Sequence, residues 1–146
     1  MSSEQLVLPK TIMACVDGSE TGFRAADFAM ALASNLGSKI LFVNVVGVST
    51  SEPSYGITAD MAGSFEVLGS EALSKCVDKA RRNGLQFETE ELSGDPADEI
   101  LKYAKRTNSD CIVIGRKGLG RMEKLLLGSV SEKVLKLSEV PVVIVK

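Results

Sequence analysis

The sequence contains no histidine and no tryptophan among its 146 residues, and aromatic residues make up only 5% of it. Without histidine, Ser-His-Asp and Cys-His nucleophiles are excluded, and so are histidine-ligated metals. No run reaches the length of about 18 apolar residues that indicates a membrane-spanning helix, and residues 1–10 lack the apolar segment of a signal peptide. The sequence therefore predicts a cytoplasmic protein with no membrane partner.

The sequence also has little net charge and few cysteines. The 17 basic and 19 acidic residues leave a net charge of −2, which argues against a general nucleic-acid-binding protein. Three cysteines are widely spaced, and two of them, Cys15 and Cys111, lie in apolar runs. This pattern predicts buried, reduced thiols and no disulfide framework. The length suits one domain over residues 1–146.

Strand-like and helix-like segments alternate along the chain. The predicted strands are 11–16, Lys39–Val46, 85–92, 110–114 and 140–145, and the predicted helices are Glu20–Leu36, 64–83, one that begins at Pro96 with Asp95 as its N-cap, and 129–138. Residues 47–63 have no clear period and predict a long mobile connection. Strict alternation of near-continuous apolar strands with helices predicts an α/β fold with a parallel sheet.

Two segments are candidates for a binding site. Ligands of open α/β sheets lie beyond the carboxyl ends of the strands, at the point where the strand order reverses. The first candidate is residues 17–19, which follow the first strand, and the second is the glycine-bearing stretch from Gly115 to Gly128. Its glycines allow tight turns and close approach to a ligand, and Ser129 then opens a helix whose N-terminus favours an anion.

Charge supports the second candidate. Residues 115–136 contain six basic and two acidic residues, a local charge of +4, whereas the remainder of the chain carries −6. A basic region in an acidic protein favours a local anionic ligand such as phosphate.

Both segments also have a purely structural interpretation. Ser129 and Glu132 have the spacing of a capping box, which needs no ligand. Asp17 fits an N-cap of the following helix as well as a hydrogen-bond acceptor for a ribose or base, and spacing alone favours the cap. A Walker A motif and a G-x-G-x-x-G motif after the first strand are both absent, which excludes those two nucleotide-binding systems.

The glycine spacing also carries a family resemblance. Gly115-x2-Gly118-x9-Gly128-Ser129 matches the signature G-x2-G-x9-G-[ST] of the ATP-binding branch of the universal stress protein family. Residues 16–20 (VDGSE), 41–46 (LFVNVV) and 141–145 (PVVIV) also resemble segments of that family. The resemblance covers essentially the whole chain.

This resemblance implies an open five-stranded parallel sheet of order 3-2-1-4-5 with helices on both faces, and a site for ATP. Mg²⁺ or Mn²⁺ would bind through the phosphates, because the sequence has no carboxylate cluster that could hold a metal alone. The segment from Val140 to Val145 would form a homodimer as an edge strand. The implied nucleotide-binding residues are Val16, Asp17, Val45 and Ile114 at the nucleoside, and Gly115, Gly118, Gly128, Ser129, Val130 and Ser131 around the ribose and phosphates.

The resemblance further implies a regulatory module of the stress response, with protein partners that the sequence does not identify. We predict no catalytic residue and at most weak ATP hydrolysis, because no group is evident that would orient the attacking water. The alternatives are a slow ATPase and a protein-interaction module of the same fold that uses no nucleotide. A phospho-accepting receiver domain is disfavoured, since Asp17 is the only acid directly after the first strand.

Overall fold

The structure is a computed structural model that describes residues 6–47, 59–119 and 126–146, with the side chains of 59–62 left out. Strands and helices alternate through these ranges. The elements are β1 (Thr11–Cys15), α1 (Glu20–Leu36), β2 (Lys39–Val46), α2 (Ala59–Arg82), β3 (Phe87–Ser93), α3 (Pro96–Arg106), β4 (Cys111–Gly115), α4 (Ser129–Leu137) and β5 (Val142–Val145).

The five strands form a sheet of order β3-β2-β1-β4-β5, and every neighbouring pair is parallel. The predicted fold class and strand order are therefore confirmed. β1 lies at the centre, where Ala14 is aligned with Phe42 of β2 and with Val113 of β4. Because the strand order reverses between β1 and β4, their carboxyl ends bound the position where ligands of α/β sheets lie.

Apolar side chains cover both faces of the sheet. Ile12 and Phe42 point into a layer shared with α1 and α2. Met13 and Ile112 point into the opposite layer, which α3 and α4 cover. Each of these four side chains is fully buried, and burial of such a side chain stabilises the fold by roughly 1.5–3 kcal/mol. Burial on both faces explains why the central strands are apolar at nearly every position.

Several predicted boundaries shift. α2 begins at Ala59, so the predicted connection 47–63 is wrong over 59–63, and its central part, 48–58, lies outside the described residues. β5 begins at Val142 because the Ser138 hydroxyl accepts the N–H of Val140 and so holds that residue in a turn. The predicted N-cap of α3 is confirmed, since the Asp95 side chain accepts the N–H of Asp98.

The three cysteines are buried and free, as predicted. Burial, together with the nearby charge of Asp17, raises the pKa of Cys15 to about 12. The thiolate is the nucleophilic form of cysteine, so this raised pKa makes Cys15 a packing residue and an unsuitable nucleophile. None of the helices in the described ranges combines the length and apolarity needed to span a bilayer.

Candidate functional site

Asp17 follows β1 and joins two separate loops. Its Oδ1 accepts hydrogen bonds from the N–H and the hydroxyl of Ser19, at 2.9 and 2.5 Å. Its Oδ2 accepts the N–H of Leu119, at 3.2 Å, in the segment that follows β4. The expected N-cap role is wrong, because the N-cap of α1 is Ser19, whose side chain accepts the N–H of Gly22. Asp17 instead holds the cap residue and connects the two candidate segments.

Thr21, in the first turn of α1, makes a second connection to the segment after β4. Its hydroxyl donates to the backbone carbonyl of Lys117 at 2.6 Å, and the residue is 7% exposed. Thr21 was not among the predicted site residues. A hydroxyl in the first turn of the helix after β1 was the available signal, but its partner is 96 residues away in the sequence.

Gly115 and Gly118 allow these connections. A Cβ on Gly115 would lie 2.6 Å from the Thr21 Oγ1 and 2.7 Å from the Thr21 carbonyl carbon, so the end of β4 packs directly on the backbone of α1. A Cβ on Gly118 would lie 2.5 Å from the Asp17 Oδ2. Both glycines, which were expected to contact a ligand, therefore also have a packing reason within the chain.

The N-terminus of α4 is closed by backbone contacts. Gly128 is the N-cap, in an extended conformation (φ −72°, ψ 161°), and no side-chain cap hydrogen bond is formed. The N–H of Gly128 donates to the carbonyl of Arg116 at 2.6 Å, and the Ser131 hydroxyl donates to that same carbonyl at 2.8 Å. In this structure the N–H of Gly128, a residue predicted to lie near the phosphates, donates within the chain.

The predicted capping box of Ser129 and Glu132 is wrong. Ser129 is the first helical residue, and Glu132 pairs instead with Lys136 at 3.2 Å, with half of its own side chain exposed. The Glu132 carboxylate is therefore directed along the helix toward Lys136 and does not cap the helix N-terminus. What remains at the first turn of α4 is a glycine N-cap followed by the backbone amides of residues 129–131, at the positive end of the helix dipole.

The predicted nucleoside residues lie on different faces of the sheet. The side chains of Val45 and Ile114 belong to the layer that α3 and α4 cover. Val16 is 2% exposed and belongs to the layer that α1 and α2 cover. The structure therefore brings Val45 and Ile114 to one face and places the Val16 side chain on the other.

Part of the predicted positive charge is compensated. Lys133 Nζ lies 2.8 Å from Asp98 Oδ1 and 3.3 Å from Asp95 Oδ2, both at the start of α3. The hydrogen bond to Asp98 is the main cause of the raised pKa of Lys133. Lys136 pairs with Glu132, and residues 121 and 124 lie outside the described ranges. Lys133 and Lys136 thus lend less of their charge to a ligand than the sequence suggests.

The site has the features of an anion site. Four hydrogen bonds join the segment after β4 to Asp17, Thr21, Gly128 and Ser131, so the first turn of α4 lies next to the chain that leaves the carboxyl end of β4. Such a helix N-terminus favours phosphate. Within 6–47, 59–119 and 126–146 there is no group of three or more histidine, cysteine or acidic residues that could hold a metal. A divalent cation at this position would depend on ligands supplied by the phosphates.

The chain is similar to known proteins over nearly its whole length. The pattern of the universal stress protein family matches residues 9–146. A universal stress protein of Methanocaldococcus jannaschii is 37% identical over 95% of this chain and 83% of its own length. The structure of the universal stress protein from Archaeoglobus fulgidus in complex with dAMP is 26% identical, with a TM-score of 0.68, over 96% of this chain and all of that one. The structure of an Arabidopsis thaliana universal stress protein family protein with AMP bound is 28% identical, with a TM-score of 0.68, over 94% of this chain and 92% of that one. The chain belongs to the universal stress protein family.

Proposed function

We propose that this protein binds ATP, with Mg²⁺ or Mn²⁺ held through the phosphates, and that nucleotide occupancy regulates its contacts with other proteins. The observation that carries the proposal is the connection of Asp17 and Thr21 to the loop that leads to the glycine-capped N-terminus of α4. One loop thus contacts both an acceptor suited to a nucleoside and a helix end suited to phosphate, which supports the proposal. The relatives from Archaeoglobus and Arabidopsis, which hold dAMP and AMP, support an adenine nucleotide.

The phosphates are assigned to the first turn of α4. The amides at Ser129, Val130 and Ser131 lie at the positive end of the helix dipole, which favours an anion. Gly128 has no side chain, so the backbone of Arg116 and Lys117 packs directly against the start of this turn. Gly118 likewise has no side chain, and this lets the loop pass directly against the Asp17 carboxylate. The cation completes its coordination with water and phosphate oxygens, as Mg²⁺ commonly does.

The nucleoside is assigned to the ends of β1, β2 and β4. The Asp17 carboxylate accepts hydrogen bonds from Ser19 and Leu119, yet two carboxylate oxygens offer about four lone-pair sites. It can therefore accept a ribose hydroxyl without releasing the loop. The backbone of Val45 and the side chain of Ile114 then contact the base from the side of the sheet that α3 and α4 cover.

Denaturing the purified protein and analysing the released small molecules tests this assignment. We expect ATP or ADP in the extract, and we expect the stripped protein to rebind ATP more tightly than GTP. Stripped protein that binds neither nucleotide would instead support the alternative function, a protein-interaction module of this fold that uses no nucleotide.

Turnover of bound ATP is expected to be slow. Rapid hydrolysis needs a group that positions the attacking water, and the described site offers none in a suitable place. Asp17 is held at the nucleoside end, Glu132 pairs with Lys136, and Glu123 lies outside the described residues. Steady-state phosphate release at saturating Mg-ATP should fall far below the enzyme median of about 10 s⁻¹. Release near that rate, lost in Glu123→Gln, would make the protein an ATPase.

We also propose a cytoplasmic, single-domain protein that forms a homodimer through the segment from Val140 to Val145. Within this segment, β5 is an edge strand of the sheet, and its four residues are all partly exposed. The carbonyl of Pro141 accepts the N–H of Ile112 in β4, and that of Val145 accepts the N–H of Arg116 just after β4. The N–H and C=O groups of Val142 and Ile144 therefore face the outer edge. Pairing with a two-fold related copy would satisfy these groups.

Val142→Pro tests the dimer. Proline removes an outward N–H and leaves the bonds to β4 in place, and prolines are tolerated at the start of an edge strand. A two-fold contact loses the bond twice, so we expect the dimer dissociation constant to rise roughly tenfold to a hundredfold. Sedimentation of wild type and variant measures it, with circular dichroism as the folding control. A monomeric wild type at micromolar concentration would contradict the proposed dimer.

A further inference from the structure

Asn44 is a buried polar residue within the apolar strand β2. It is 4% exposed and faces α2. Its Nδ2 donates to the backbone carbonyl of Val16 at 2.7 Å, while its Oδ1 has no hydrogen-bond partner among the described residues. An unsatisfied buried oxygen is destabilising, and the neighbouring positions show that this strand accepts apolar residues. The amide therefore calls for an explanation beyond packing.

The position of the hydrogen bond from Asn44 to the Val16 carbonyl provides that explanation. Odd-numbered residues of β2 bond to β1: the N–H of Lys39 donates to Lys10, and the carbonyl of Val43 accepts the N–H of Val16. In a parallel ladder the next bond would run from the N–H of Val45 to the carbonyl of Val16. In the structure this carbonyl accepts the Asn44 amide instead. The ladder between β1 and β2 thus ends one bond early.

This early end leaves the backbone of Val45 available. Its N–H and C=O point toward β1 but lie past the last backbone bond between the two strands in the described part of the chain. They reach the carboxyl edge of the sheet next to Val16 and therefore beside Asp17. An extended residue of this kind presents one donor and one acceptor side by side. Adenine offers the complementary pair, the N1 acceptor and the 6-amino donor. Hypoxanthine has a 6-oxo group and an N1–H, which reverses that pair.

We propose that Asn44 is a positioning residue that ends the β1–β2 ladder early, so that the backbone of Val45 selects adenine over 6-oxopurines. The inference rests on the proposed nucleotide site, in which the backbone of Val45 contacts the base, and adds the residue that leaves this backbone outside the β1–β2 ladder. Asn44 acts through Val16 and Val45 and does not itself contact the nucleotide.

Gly69 of α2 provides an independent way to disturb Asn44. A Cβ on Gly69 would lie 2.4 Å from the Asn44 Nδ2 and 2.6 Å from its Oδ1, so the amide is seated directly against the helix backbone. A Cβ on Gly63, in the same helix, would meet nothing within 4 Å. Gly69→Ala should therefore displace the Asn44 amide, and Gly63→Ala is the matched control.

The test is calorimetric titration of Mg-ATP and Mg-ITP into wild type, Asn44→Leu, Gly69→Ala and Gly63→Ala. We expect wild type and Gly63→Ala to prefer ATP about tenfold or more, since two hydrogen bonds are reversed in ITP. In Asn44→Leu and Gly69→Ala the ratio of ATP affinity to ITP affinity should fall close to one, mainly through weaker ATP binding. The melting temperature of Asn44→Leu should stay unchanged or rise, because an unsatisfied buried oxygen is removed.

The outcomes separate the two hypotheses. If wild type binds neither nucleotide, the proposed function fails. If wild type prefers ATP and both Asn44→Leu and Gly69→Ala keep that preference, Asn44 does not position Val45 and the inference is overturned, while nucleotide binding stands. An equal loss of affinity for both nucleotides would indicate a merely structural role for Asn44 and would also overturn the inference.

Discussion

Saturating Mg-ATP should raise the free energy of unfolding by about 2.7 kcal/mol at roughly 100 times its dissociation constant, since ligand that binds only the folded state stabilises that state. For a chain of this length the gain corresponds to an increase of roughly 5–11 °C in the melting temperature. Gly128→Val should abolish the increase. A Cβ at Gly128 would already lie 3.2 Å from the Lys117 Cα and 3.3 Å from the Arg116 oxygen, and the branched side chain would push the loop from its place at the start of α4.

The control for this prediction is Gly63→Val, where the added side chain meets open space. This variant should keep the full ATP-dependent increase in a thermal-shift experiment. Circular dichroism shows whether Gly128→Val is folded without ligand. A folded Gly128→Val that retains the wild-type increase would remove the first turn of α4 from the proposed site.

Gly115→Ala should lower the free energy of unfolding by about 2–3 kcal/mol, near the upper end for overpacked sites. The added Cβ would lie 2.6 Å from the Thr21 Oγ1, 2.7 Å from the Thr21 carbonyl carbon and 2.9 Å from the Gly22 nitrogen. Two of these atoms belong to the backbone of α1, so the contact cannot be relieved by rotating a side chain. Equilibrium urea unfolding measures the change.

Gly63→Ala is again the matched variant, because the same substitution in an open helical position should stabilise the protein by up to about 1 kcal/mol. The two variants are therefore expected to differ in sign. A Gly115→Ala protein as stable as wild type would show that the end of β4 does not pack on α1 as the structure indicates.

The fold was predictable because its signal is repeated along the chain. β2 and β4 are short, nearly uninterrupted apolar runs, and the segments between strands have helical spacing, which is typical of a covered parallel sheet. The strand order came from the family resemblance, since alternation alone does not determine it. The start of α2 was missed because the segment before Ser64 showed no clear period, although it is helical from Ala59.

The local roles at the site were less predictable, because they depend on distant contacts. Asp17 and Ser19 are both common N-cap residue types, and spacing favoured Asp17 as the cap. The structure selects Ser19 and uses Asp17 to hold Leu119, which is 102 residues away. Likewise, the bond of Gly128 to Arg116 makes the glycine the N-cap, although Ser129 and Glu132 have the spacing of a capping box.

The role of Asn44 also depends on a contact that the sequence does not reveal. In the sequence Asn44 is one polar residue inside an apolar strand, and no role was predicted for it. Its importance appears only when the register of β1 and β2 shows which backbone bond its amide replaces. Thr21 is a comparable case, since its hydroxyl gains meaning only from the carbonyl of Lys117.

Isothermal titration of Mg-ATP into nucleotide-stripped wild-type protein tests the central claim most directly. We predict saturable binding with one site per chain, weaker binding of GTP, and loss of binding in Gly128→Val with the fold retained. Absence of binding heat for ATP at protein concentrations well above micromolar, confirmed by equilibrium dialysis with labelled ATP, would contradict it.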